Sequence, residues 1–262
     1  MPTALDKILD KKKQRLEQAR KDFPARRLED LLAHALPVRD ALSHLLAKEN
    51  GAIPVIAEIK RKSPSAGEIL PGLSPAQLAK DYESAGARAI SVLCEQDFFG
   101  GSLEDMEEAK RSCSLPMLCK DFIISTFQVL LARIHGADMA LLIARALDQR
   151  KLNELFLMVK EMGMTPLVEV HDRQEMERAL ELGAKLIGVN NRNLSTLEVS
   201  LENTRKLLPL IPKDKIVISE SGFSRREELL DMQAAGATAF LIGGSILSSS
   251  NPAQKLRELV HG

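Results

Sequence analysis

The stretch IAEIKRKSPSAG, Ile56 to Gly67, is an apolar run that ends in Glu58 and Lys60 and breaks into a loop at Ser63-Pro64-Ser65. Side chains alternate along a strand, so Glu58 and Lys60 share one face. An apolar strand has no structural need for a carboxylate and an ammonium on its core face, because unpaired charge is costly to bury. A structural ion pair is the plain alternative. Position favours chemistry: the pair stands at the C-terminal end of its strand, where parallel α/β folds keep their active sites. Other apolar runs end the same way, in Lys120, in Glu169, in Asn190 with Arg192, in Glu220-Ser221 and in Gly243-Gly244-Ser245. Each alone fits a solvated loop residue; together they read as the rim of one site. The turns Ser221-Gly222 and Gly243-Gly244-Ser245 suit a backbone phosphate cradle, with tight-turn glycines as the alternative.

These residues must be held by regular elements, and the chain supplies them as strand, loop, helix, repeated. Strand-like runs occur at Pro54–Ile59, Ala89–Leu93, Pro116–Cys119, Met139–Ile143, Pro166–Val170, Leu186–Val189, Ile216–Ser219 and Ala239–Ile242. They are short and alternate poorly, as strands buried on both faces of a parallel sheet do. Helix starts are marked by Ser74 with Gln77, Ser102 with Asp105, Ser125 with Gln128, Asp172 with Glu175, Ser224 with Glu227 and Asn251 with Gln254. Helix ends are marked by Gly86-Ala87, Gly136-Ala137, Gly183-Ala184 and Gly236-Ala237. These corners recur about every fifty residues, two strand-helix units, as an eightfold barrel requires. The expected fold is a (β/α)8 barrel over 51–262 with an N-terminal helical extension over 1–50, in one domain spanning 1–262. A doubly wound open sheet is the alternative, but its Gly-rich turn after the first strand is replaced here by KRKSPSAG. Leu5, Ile8, Leu9, Leu16 and Phe23 stripe the first helix of the extension, Pro24 ends it, and a second helical piece covers about Leu28 to Leu45.

Composition narrows the function. The chain has 262 residues, with Lys+Arg and Asp+Glu equal at 36 each, so nothing in the net charge calls for nucleic acid. Charges run through MPTALDKILDKKKQRLEQ, which therefore reads as neither a secretory signal nor a membrane span, and the protein is expected in the cytoplasm. Cys94, Cys113 and Cys119 have no metal or redox spacing and suit a reducing compartment. No His/Cys/Asp cluster suggests a metal, and His171 with the other histidines reads as a surface or loop residue.

Six stretches, EIKRKSPS, FFGGSLEDM, KDFII, LVEVH, GVNNRNL and SESG, give the chain a close resemblance to the indole-3-glycerol phosphate synthase family, over Ile53 to the C-terminus and in the helical extension. The resemblance implies ring closure of 1-(2-carboxyphenylamino)-1-deoxyribulose 5-phosphate with loss of carbon dioxide and water. It implies Lys120 as general acid, Glu169 as general base, Lys60 on the substrate carboxylate, and Glu58 and Asn190 as positioning groups. Ser63, Pro64, Ser221, Gly222, Gly243, Gly244 and Ser245 would lie at the phosphate end, with Arg192 near the anionic substrate. Phe122, Leu141, Leu194 and Leu241 would line the aromatic pocket. The chain departs from the family pattern at Ala66, Ser125-Thr126, Asn193, Phe223 and Gly244, none of them a proposed proton donor or acceptor.

The chemistry asks for the same residue types. Closure turns a ketone into an alkoxide and then expels hydroxide, so a proton donor is needed at that oxygen and a base at a ring carbon. A lysine is expected to serve if burial or neighbouring cations, Lys60 and Arg192, lower its pKa. No organic cofactor is required. The expected partner is a small phosphorylated substrate, with no nucleic acid or membrane, in a monomer or weak homodimer with room for contact with other tryptophan-pathway enzymes. Two other readings stand: a Schiff-base sugar-phosphate aldolase using Lys60 or Lys120, and a non-catalytic phosphate-binding barrel.

Overall fold

The computed structural model describes residues 3–22, 24–49, 51–63, 67–70, 72–193 and 196–262, so Phe23, Pro64, Ser65, Ala66 and Leu194 lie outside it. Its centre is a closed barrel of eight strands, β1 Val55–Ile59, β2 Ala89–Leu93, β3 Met117–Lys120, β4 Met139–Ile143, β5 Thr165–Val170, β6 Leu186–Asn190, β7 Ile216–Glu220 and β8 Ala239–Ile242. All neighbouring pairs are parallel. The open-sheet alternative is therefore set aside.

Alternation along each strand divides the core in two. Val55, Ala57 and Ile59, Met117 and Cys119, and Val168 and Val170 face the surrounding helices. Ile56, Leu118, Leu167 and Ile218 face inward. Register then decides what stacks above them. Glu58 lies opposite Ser91, which adjoins Leu118, two residues before Lys120. The same climb of two residues per two strands leads from Lys120 to Glu169, from Glu169 to Glu220, and from Glu220 back to Glu58. The four therefore form one layer contributed by alternate strands, the stacking rule of this barrel. Beneath it lie Ser91, Leu141, Gly188 and Leu241; above it lie Leu93, Ile143, Asn190 and Gly243.

Caps explain where the helices begin. Ser74, Ser102, Asp172 and Asn251 accept the backbone N–H three residues on and start α4 Pro75–Ser84, α5 Leu103–Ser112, α8 Arg173–Glu181 and α12 Pro252–His261. Two expected boxes are corrected. Ser125 does begin α6 Thr126–Ile134, but its hydroxyl meets Phe127 N–H, while Gln128 turns to Ile124 N–H and Phe122 C=O. The box expected at Ser224 and Glu227 is displaced by one residue: Glu228 accepts from both Ser224 and Arg225 N–H, and α10 runs Arg226–Ala234. The four Gly-Ala corners all place glycine in the left-handed region, as a helix C-terminus prefers.

The extension is α1 Ala4–Asp22, α2 Ala25–Ala33 and α3 Ala41–Leu46. The second helical piece is thus two helices, because Pro37 cannot continue a helix and Asp40 caps a new one by accepting from Ser43 N–H. Ala41 and Leu45 of α3 join the inner core. Helix α1 reaches the C-terminal ends of β2 and β3 through Arg15 Nη2 on Asp97 Oδ1, 2.7 Å, and Lys12 Nζ on Asp121 Oδ1, 2.7 Å. Among the described residues no helix is long and apolar enough to cross a membrane.

Candidate active site

At the C-terminal mouth of the barrel is a cavity of about 330 Å³ lined by Glu58, Lys120 and Glu169 of that layer, with Glu220 level with them but outside the lining. Glu58, Lys60, Lys120, Phe122, Leu141, Glu169, Asn190, Arg192, Ser221, Gly222, Leu241, Gly243, Gly244 and Ser245 all line it, so the structure brings together nearly every expected site residue. Ser63 is the exception among described residues, held in a short hairpin of Lys62–Ser63 with Gly67–Glu68 outside the lining. Phe99, Asp121, Ile143 and Phe223 are lining residues that sequence reasoning assigned no role. Phe99 stacks obliquely on Phe122, 6.2 Å between centroids, giving the mouth an aromatic wall.

Lys120 Nζ donates to Glu220 Oε2 at 2.8 Å and to Glu169 Oε2 at 3.3 Å, and Lys60 pairs with Glu58. Three carboxylates thus share two ammonium groups, and Glu220 Oε1 is buried with no hydrogen-bond partner among the described residues. The charges take different values because their surroundings differ. Burial pushes Glu220 up, aided by Glu169 and Glu58 and opposed by Lys120, to about 7. Burial also works to raise Glu169, but Lys120, His171 and Asn190 hold it below the ordinary carboxylate range. Lys120 departs from expectation. Burial lowers it, yet Glu220, Glu169 and Glu58 more than offset that and raise it, so carboxylates and not cations set its field.

Two glycines make room for the carboxylates. A Cβ on Gly243 would lie 2.8 Å from Glu58 Cβ, and one on Gly188 would lie 3.2 Å from Glu220 Cδ. The Gly243 site is therefore filled by a side chain of β1, a firmer reason for glycine than the approach of a ligand. Ser221 has φ +70° and Gly222 φ +94°. A non-glycine residue there costs on the order of 1 kcal/mol and marks a turn held by its surroundings. Asn191 Nδ2 holds it by donating to Ser221 C=O at 3.1 Å. Glu220 was read as part of the rim, with Ser221, but was given no role in the chemistry. The signal was available: β1, β3, β5 and β7 each end in an apolar residue followed at i+2 by an ionisable one.

Fold and mouth together define a class: a (β/α)8 barrel with a cavity at its C-terminal mouth in which a lysine sits among carboxylates. Residues 5–259 match the family model described as "Indole-3-glycerol phosphate synthase", and the chain belongs to that family. The indole-3-glycerol phosphate synthase of Parafrankia sp. is 46% identical over 257 residues, covering 98% of this chain and 95% of that one. That of Hyphomonas neptunium is 45% identical over 246 residues, covering 93% and 92%. The 3-hexulose-6-phosphate synthase structure from Salmonella typhimurium superposes with a TM-score of 0.63 at 14% identity, covering 79% of this chain and 96% of that chain, a likeness of fold alone.

Proposed function

We propose that the charged layer carries out the family reaction with Lys120 as proton donor and Glu169 as proton acceptor. The enzyme is a carboxy-lyase of tryptophan biosynthesis that converts 1-(2-carboxyphenylamino)-1-deoxyribulose 5-phosphate to indole-3-glycerol phosphate, carbon dioxide and water. The observation that carries the residue assignment is the single layer of Glu58, Lys120, Glu169 and Glu220 beneath the cavity.

In this reading the ring carbon bearing the carboxylate attacks the ketone, and Lys120 protonates the developing alkoxide. An alkoxide is far more basic than an amine, so even a lysine with a raised pKa can give up its proton there. Loss of carbon dioxide returns the electron pair to the benzene ring. Lys120 regains a proton from solvent, the ring nitrogen then helps expel hydroxide, which leaves as water on that second proton from Lys120, and Glu169 takes a proton from the five-membered ring to complete the indole. That proton is strongly acidic because its loss makes the ring aromatic, so a low-pKa carboxylate suffices. Lys60 binds the substrate carboxylate, with Glu58 and Asn190 as positioning residues. Ser221, Gly222, Gly243, Gly244 and Ser245 take the phosphate, Arg192 lies near the anionic substrate, and Phe122, Leu141 and Leu241 hold the aromatic ring. Pro64 and Leu194 keep their family roles in this proposal, and Ser63 would have to approach from its hairpin.

The Schiff-base alternative requires a neutral amine, and Lys120 is held as an ammonium between carboxylates. We place the enzyme in the cytoplasm as a monomer or weak homodimer, with room for contact with other pathway enzymes. The test is direct: purified protein given the carboxyphenylamino substrate is expected to generate indole absorbance and fluorescence. Binding without turnover would instead support a non-catalytic barrel.

A further inference from the structure

Asn191 stands between Asn190 and Arg192, which both line the cavity, but its own side chain is buried against β7 and α9 Glu202–Leu207. The orientation of its amide is fixed by two neighbours with one role each. Thr204 N–H can only donate and lies 3.2 Å from Oδ1, while Ser221 C=O can only accept and lies 3.1 Å from Nδ2. The hydroxyls then order themselves. Oδ1 accepts from the Thr204 hydroxyl at 2.8 Å, which in turn accepts from the Ser219 hydroxyl at 2.7 Å, and Ser219 Oγ accepts the other Nδ2 proton at 3.1 Å. Asn191, Thr204 and Ser219 thus close a ring of hydrogen bonds that all run one way, each polarising the next. All three residues are buried, and the amide has both its protons and both its lone pairs engaged. Its main chain is engaged as well, with Glu220 C=O at 2.9 Å and Ser200 N–H at 2.9 Å.

The bond from Asn191 to the Ser221 carbonyl carries this rigidity to the cavity. That carbonyl shares a trans peptide with Gly222 N–H, and in a trans peptide the two groups point in opposite directions. Holding the carbonyl toward Asn191 therefore turns Gly222 N–H away from Asn191, at a turn whose two residues both line the cavity. The peptide needs holding, because Ser221 keeps φ +70° without a glycine's freedom. Gly222, at φ +94°, has no room for a side chain: a Cβ there would lie 2.7 Å from Val199 Cγ1. We infer that Asn191 is a positioning residue for the substrate phosphate: the ring fixes its amide, the amide fixes the Ser221–Gly222 peptide, and that peptide presents Gly222 N–H to a phosphate oxygen. This rests on the reading that Ser221 and Gly222 take the phosphate. No proton moves through Asn191, so its loss removes binding shared by ground and transition states and falls on KM rather than kcat.

The test is Asn191→Ala, assayed for KM, kcat and competitive inhibition by inorganic phosphate and by 2-aminobenzoate, which probes the carboxylate end. Positioning predicts KM and the phosphate inhibition constant raised roughly tenfold, the scale of one lost buried hydrogen bond, with kcat and 2-aminobenzoate inhibition near their unmodified values. Equal weakening of both inhibitors, a loss confined to kcat, or unchanged phosphate inhibition overturns the inference. Ser221→Val separates it from the cradle reading, because a β-branched residue resists φ +70° and should weaken phosphate inhibition if the phosphate lies at this turn. If Ser221→Val weakens it and Asn191→Ala does not, the inference alone fails; if neither does, the cradle reading fails and the inference with it. Should Asn191→Ala not fold, Thr204→Val and Thr204→Ser decide. The first deletes the ring's hydroxyl in nearly the same shape and should raise the phosphate constant about threefold, while the second keeps the hydroxyl and should hold the unmodified value. No difference between the two overturns the inference.

Discussion

The barrel has a buried lysine–carboxylate cluster at each end, and the two are satisfied to different degrees. At the N-terminal end, Lys110 of α5 and Asp138, just before β4, are 1% and 0% exposed. Lys110 Nζ lies 2.7 Å from both Asp138 oxygens, Oδ1 also accepts Arg39 N–H at 2.6 Å, and Oδ2 accepts Met117 N–H at 2.7 Å. Arg39 then reaches Leu115 and Lys110 carbonyls, tying the segment between α2 and α3 to the barrel floor. The Lys110 ammonium and both Asp138 oxygens have their partners among the described residues. At the C-terminal end, carboxylates outnumber ammonium groups, one Glu220 oxygen has no partner among the described residues, and a cavity stands open above. Lysine and carboxylate build a fastener where their hydrogen-bonding capacity is filled, and where it is not they suit the proton handling proposed above.

The largest effect should come from breaking the fastener. Lys110→Met keeps the stem that packs beside Gly136 but leaves Asp138 buried and unpaired, a change that costs about 3–5 kcal/mol in such pairs. Denaturant titration is expected to show this loss, while turnover per folded molecule stays near the unmodified value. A loss below 1 kcal/mol would mean that the floor does not need its ion pair.

Breaking the upper cluster should do the reverse. Lys120→Met is expected to reduce turnover by roughly a hundredfold or more while substrate still binds. Its stability cost should be smaller than that of Lys110→Met and should shrink as pH falls, because Glu220 can take up a proton in place of the missing ammonium. Lys60→Met should weaken binding as well as turnover, since the substrate carboxylate loses a charged partner. Titrating each inactive variant with a reduced, non-cyclising analogue separates the roles. Loss of chemistry without loss of binding in Lys60→Met, with Lys120→Met active, would exchange the two lysines.

What could be read from the sequence follows the same division. Strand positions were legible because they depend on local apolar runs, and all eight lie within two residues of their expected limits. The mouth was legible because strand ends collect polar residues, and most of the lining follows from that alone. The layer was not, because it depends on register around the whole barrel: only the climb of two residues per two strands puts Glu220 level with Lys120. Without that level the field on Lys120 had the wrong sign, since Lys60 and Arg192 stood as its neighbours and Glu220, though placed on the rim, was given no part in it. His171, read as a surface or loop residue, does lie in the loop after β5 but is buried there, beside Glu175 four residues on, which Arg145 from beyond β4 holds in place.

The subtlest difference between the two clusters is how each responds to pH, and Glu220 sharpens it. Its pKa is raised by burial and by neighbouring carboxylates to about 7, above the ordinary 4.5. The folded protein therefore binds this proton more tightly than the unfolded chain, and the sign follows: Glu220 lowers stability as pH rises from about 4.5 to about 7, by at most ~1.4 kcal/mol per pH unit. Other groups act in adjoining windows. Glu169, held low, contributes stability that is lost as pH falls below the carboxylate range, and His171, held high, contributes stability lost as pH rises above its ordinary value. Glu220→Gln should remove only the slope in the middle window. Urea unfolding of the unmodified enzyme and of Glu220→Gln at pH 5 and pH 7 is expected to show a variant that gains relative stability at the higher pH. A pH dependence identical in the two proteins would mean that Glu220 is ionised throughout and that Lys120 fully compensates it, leaving the upper cluster as satisfied as the lower one.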